Sequence, residues 1–61
     1  MTNEELKKKI KENNLYQWQV ANAAGITEMT LIRWFRTPMT KERAERVNAA
    51  IGQLKAGALN D

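Results

Sequence analysis

The chain has neither histidine nor cysteine, so the commonest general base, the thiolate nucleophile and the thiolate metal site are all missing. No nucleophile–base pair and no metal-ligand set can be assembled from the remaining side chains, and neither an enzyme nor a cofactor is expected. What is left is the chemistry of recognition. Ten basic residues stand against seven acidic ones, for a net charge of +3 and a pI near 9.6. This balance suits an anionic partner without identifying one, since a mildly basic solvated surface reads the same way. The most specific arrangement lies between Thr27 and Arg36. On a helix, Met29, Ile32 and Arg33 share one face at spacings of three and four, while Leu31, Trp34 and Phe35 share another.

The elements that must hold these faces are helical. The chain has one proline and three glycines in 61 residues, and no two-residue alternation lasts long enough for a strand. Its length allows one domain and one core. A first helix is expected from about Thr2 or Asn3 to Asn13, with Leu6 and Ile10 on its inner face and Asn13-Asn14 as its stop. A second runs from Tyr16 or Gln17 to Ala24, with Val20, Ala21 and Ala24 facing inward, and Gly25 ends it. Thr27 caps a third that continues to about Arg36 and is stopped by Thr37-Pro38. Thr40 caps a fourth that reaches about Leu54 along the apolar line Ala44, Val47, Ala50, Ile51 and Leu54. Residues 1–56 form the domain, and residues 57–61 read as a flexible tail.

Two short helices joined by a tight turn need a small residue at their closest approach, a glycine in the turn and apolar residues that meet across the angle. Ala21, Gly25 and the set Val20, Ala24, Ile26, Leu31 and Trp34 supply these in order. The Leu15-x-Gln17 opening, the Ala21…Gly25-Ile26-Thr27 turn and the Arg33-Trp34 pair resemble the helix-turn-helix of the phage repressor and Cro class of bacterial regulators, the XRE family. The resemblance covers about residues 4–54 and implies an all-α, four-helix, Cro-like DNA-binding domain whose motif spans about residues 17–36.

In such proteins the third helix lies in the major groove and the preceding helix crosses the phosphate backbone. Carried over by position, the resemblance makes Glu28, Met29, Ile32 and Arg33 the groove-facing residues, with Thr27 capping the helix and Thr30 beside them. Gln17 matches the family's phosphate-contacting glutamine, Arg36 a backbone-contacting position, and Lys41 the loop that often approaches phosphate. Arg33 would then bond bidentately to guanine, Met29 and Ile32 would meet thymine methyls, and Glu28 would accept from cytosine. Glu28 departs from the family pattern, because it places a negative charge near phosphate. It reads equally well as a carboxylate stabilising the helix N-terminus.

Other features have ordinary explanations. Lys7, Lys8, Lys9 and Lys11 are accompanied by Glu4, Glu5 and Glu12 and read as a solvated face rather than a phosphate site. Trp18 and Trp34 read as core or core-edge residues rather than as stacking platforms for bases. Arg43 and Arg46 read as intrahelical ion pairs with Glu42 and Glu45, and surplus apolar surface on the fourth helix would serve as a dimer seam.

The function expected from all this is a sequence-specific transcriptional regulator, a repressor of the phage or mobile-element type, binding an operator in double-stranded DNA as a homodimer. An alternative is an antirepressor or modulator that docks on a partner regulator protein through Met29, Ile32 and their neighbours. An accessory excision-type DNA-binding role lies between the two. No apolar run approaches the roughly 20 residues that span a bilayer, and the start lacks a signal peptide's basic and apolar regions. No membrane partner is expected, and the location expected is the cytoplasm of a bacterial or phage-infected cell.

Overall fold

A computed structural model describes residues 2–58 and contains, among them, four helices and no strand: α1 (Asn3–Glu12), α2 (Gln17–Ala24), α3 (Glu28–Arg36) and α4 (Lys41–Ala58). Three of the helices start on a threonine whose hydroxyl accepts from the backbone N–H three residues on. Thr2 accepts from Glu5 at 3.1 Å, Thr27 from Thr30 at 3.2 Å and Thr40 from Arg43 at 3.3 Å. Each bond satisfies one of the donors that a helix start leaves without a partner. At α1 the cap is reciprocal, since the Glu5 carboxylate accepts from the Thr2 N–H at 3.0 Å. Helix α2 starts on Tyr16, whose N–H donates to Gln19 Oε1 at 2.8 Å.

The ends of α1 and α2 share one geometry. Asn14 and Gly25 both take positive φ, 55° and 77°. In each case the next residue reaches back five positions, Leu15 N–H to the Ile10 carbonyl at 3.0 Å and Ile26 N–H to the Ala21 carbonyl at 2.9 Å. The two positive-φ residues themselves donate three positions back, to Lys11 and Asn22. This paired closure needs a left-handed residue, which asparagine tolerates and glycine adopts freely.

The core is drawn from all four helices. Leu6 and Ile10 of α1, Val20, Ala21 and Ala24 of α2, Leu31 and Phe35 of α3, and Ala44, Val47, Ala50 and Ile51 of α4 are buried. Leu15, Ala23, Ile26, Trp34, Met39 and Leu54 pack around them. Helix α2 lies against both α3 and α4, and α1 lies against α4. Small residues on the facing sides of α2 and α4, Ala21, Ala24, Ala44 and Ala50, leave room for close approach.

Two expectations are corrected. Helix α4 runs past Leu54 to Ala58, and Gly52 within it faces open space, so its missing side chain leaves no gap in the core. Of the tail expected at residues 57–61, the first two positions are therefore helical, and residues 59–61 lie outside those described. The arginines of α4 also have partners beyond their own helix. Arg46 Nε donates to the Ala24 carbonyl at 2.9 Å, and the Arg43 guanidinium lies 5.1 Å from the Trp34 ring centre. Both reach across to the α2–α3 pair, where a carbonyl at a helix end and an aromatic face attract a cation.

Candidate nucleic-acid interface

The expected recognition residues sit on the outside of α3. At 100° per residue Glu28, Ile32, Arg36, Met29 and Arg33 sweep an arc of roughly 140°. The buried Leu31 and Phe35 lie outside this arc, on the side beyond Glu28. Glu28, Met29, Arg33 and Arg36 are exposed and Ile32 is half-buried. Met29 is 60% exposed, so this face combines one apolar thioether with one carboxylate and two guanidinium groups.

Thr27 and Thr30 stand apart from that arc. Their hydroxyls lie 2.8 Å from one another, and Thr27 Oγ1 also accepts the Thr30 N–H. The two side chains thus close the helix start and bring Glu28 into the first turn, where its charge is favourable. Gln17 opens α2 and is half-buried, and Lys41 opens α4 and is exposed. The nine expected site residues therefore fall into five on an outward face of α3, the two threonines that close its start, and two flanking positions, Gln17 and Lys41, at the starts of the neighbouring helices.

The turn between α2 and α3 is held from behind. Gly25 supplies the left-handed backbone, and a side chain there would meet the Arg46 guanidinium at 3.4 Å. Arg46 in turn binds the Ala24 carbonyl at the end of α2. The far end of α3 is held by Asn3. Its Nδ2 donates to the carbonyls of Phe35 at 3.2 Å and Thr37 at 2.7 Å, and its Oδ1 accepts from Met39 N–H at 3.2 Å. Lys7 of α1 lies 5.3 Å from the Phe35 ring centre. An open groove of about 560 Å³ beside this clamp is lined by Thr2, Asn3 and Glu4 from the start of α1 and by Arg36, Thr37, Pro38 and Met39. Arg36 thus borders both the outward face and the groove.

Trp18 is not a core residue. It is 54% exposed, Tyr16 is 66% exposed, and their rings stack with centroids 6.5 Å apart and planes 10° from parallel. The physical reason is angular. Trp18 lies roughly 110° round α2 from the centre of the face made by Val20, Ala21 and Ala24. That offset is legible in the sequence and outweighs the general tendency of tryptophan to bury. Asn3 carried no comparable signal, since its partners lie 32 to 36 positions away.

Among the described residues no helix is long and apolar enough to cross a membrane. No protein-family model, no curated protein and no solved structure matches this chain.

Proposed function

We propose that the chain is a helix-turn-helix domain of the phage repressor and Cro type, a sequence-specific regulator that lays α3 in the major groove of operator DNA. It works in the cytoplasm, where such DNA is found, and pairs with a second copy on a two-fold site. The observation that carries this reading is the division of α3. Leu31 and Phe35 anchor it in the core while Glu28, Met29, Ile32, Arg33 and Arg36 run along its outward side. A nine-residue helix braced at one end by the Gly25 turn and at the other by Asn3 is a rigid support for base-reading side chains. Arg33 supplies a planar fork for guanine, and Gln17, Arg36 and Lys41 supply contacts to phosphate.

Fluorescence anisotropy against a panel of operator-like duplexes at two salt concentrations tests the reading. Affinity should differ among sequences and fall with salt. Equal affinity for every duplex, or insensitivity to salt, removes the proposal.

The exposure of Met29 beside Glu28 supports a second reading, a modulator that docks on another regulator protein, because an exposed methionine favours protein contacts and a carboxylate there disfavours phosphate. The two readings separate by substitution. On DNA, Arg33→Ala and Arg36→Ala should weaken binding, Arg33→Ala by about 1–3 kcal/mol at its own base pair. On a protein partner, Met29→Ala and Ile32→Ala should abolish binding while the arginine variants retain it.

A further inference from the structure

Two aromatic side chains take no part in the core. Tyr16 and Trp18 are more than half exposed, and their mutual stacking holds two polar tips, a phenol O–H and an indole N–H, on one surface. Among the described residues neither tip makes a hydrogen bond to the protein. Between them in sequence stands Gln17.

We propose that Tyr16 and Trp18 form an uncharged anchor for the sugar–phosphate backbone of duplex DNA, with the phenol and the indole donating to neighbouring phosphate oxygens. This rests on the DNA-binding reading above. Three observations select that occupant. Helix α2 contains no charged residue, so any phosphate contact made there must use neutral donors, which tyrosine, glutamine and indole provide. The net charge of +3 draws a polyanion to a molecule of this size. The exposed part of the two rings amounts to on the order of 250 Å², well below the roughly 800 Å² per partner of a stable protein interface. The pair is thus too small to hold a second copy by itself, but it suffices for a local contact within a larger DNA interface.

The test uses the full chain and a labelled random-sequence duplex of about 20 bp, with anisotropy measured across a salt series. Tyr16→Phe keeps the ring and removes only the hydroxyl donor, and Trp18→Phe keeps an aromatic face while removing the indole N–H. Each should weaken binding roughly two- to tenfold with an unchanged slope of log affinity against log salt, because a neutral donor displaces no counterion. Lys41→Ala, as the ionic comparison, should reduce that slope by about 0.9. In a Trp34→Phe background, Trp18 is the sole tryptophan, and its emission should change on adding duplex. Circular dichroism melts of each variant should match the parent chain.

If the unsubstituted chain binds no duplex, the DNA reading itself falls, and this assignment with it. If it binds with a normal salt slope while both phenylalanine variants bind equally well, only the aromatic anchor is overturned. A flattened slope in the variants overturns it too, since the rings would then be acting through a displaced cation. A chain that sediments as a dimer and becomes monomeric on Trp18→Ala assigns the surface to a second copy instead, and likewise overturns the proposal.

Discussion

Asn3 occupies the first turn of α1, yet all three of its hydrogen bonds go to the end of α3 and the segment that joins it to α4. Nδ2 takes the carbonyls of Phe35 and Thr37, and Oδ1 takes the N–H of Met39. The Phe35 carbonyl belongs to the last turn of α3, where a helix has acceptors without internal donors. The side chain therefore caps a helix other than its own. Asn3→Ala should cost about 1–3 kcal/mol, which in a domain of this size lowers the melting temperature by roughly 8–24 °C. Asn3→Asp makes the cause measurable. It preserves shape and removes the donors, so a thermal melt at neutral pH should show nearly the same loss, whereas a role in packing alone would spare it. Arg46 does comparable work at the other end of the motif, binding the Ala24 carbonyl next to Gly25.

At the scale of the element, the helix starts are set by short-range chemistry, and α1 shows this most fully. Hydrogen bonds from the Thr2 backbone N–H and hydroxyl hold the Glu5 carboxyl below its ordinary value of 4.5, with Lys9 adding a smaller effect in the same direction. A carboxyl depressed on folding contributes stability that is fully present above its unfolded value and is lost as the pH falls through the folded one. The contribution of Glu5 should therefore be intact at neutral pH and disappear on acidification below about 4.5. An acid titration followed by far-ultraviolet circular dichroism, compared between the parent chain and Glu5→Gln, should show the two curves converging at low pH.

The same short range explains what the sequence discloses. Threonine caps, the Asn14 and Gly25 closures, and the spacing of Leu31 and Phe35 are decided within a few residues, and all are legible in the order of residue types alone. Contacts made between elements are not local. The Arg46–Ala24 bond and the Arg43–Trp34 contact depend on how α4 crosses α2 and α3, and both arginines have glutamate neighbours on their own helix that would serve as well. Trp18 is a different case. Its angular position points to solvent, and its residue type points the other way. That Gly52 faces open space is something only the packed arrangement reveals.

On the scale of the whole molecule the question is where a second copy would sit. The expected seam on α4 needs large apolar side chains left outside the core, and the described part of that helix leaves none. Val47, Ala50 and Ile51 are buried and Leu54 is half-buried, while the exposed positions near them are Ala49, Gly52, Gln53 and Ala56. Among the described residues the large exposed apolar side chains are Tyr16, Trp18 and Met29, at the starts of α2 and α3. With so little apolar surface to bury, two free copies would fall short of the area of a stable dimer. Pairing on DNA is easier, because neighbouring half-sites hold two domains at high effective concentration. The chain should therefore sediment as a monomer at micromolar concentration. It should bind a palindromic duplex cooperatively when the half-sites are about one turn, or 10 bp, apart. Inserting about half a turn between them rotates one domain to the far side of the duplex and should abolish cooperativity while leaving the affinity of each half-site unchanged. A monomer–dimer equilibrium visible without DNA would overturn the monomer expectation, and cooperativity that survives the insertion would overturn the expectation that the two copies meet only on one side of the duplex.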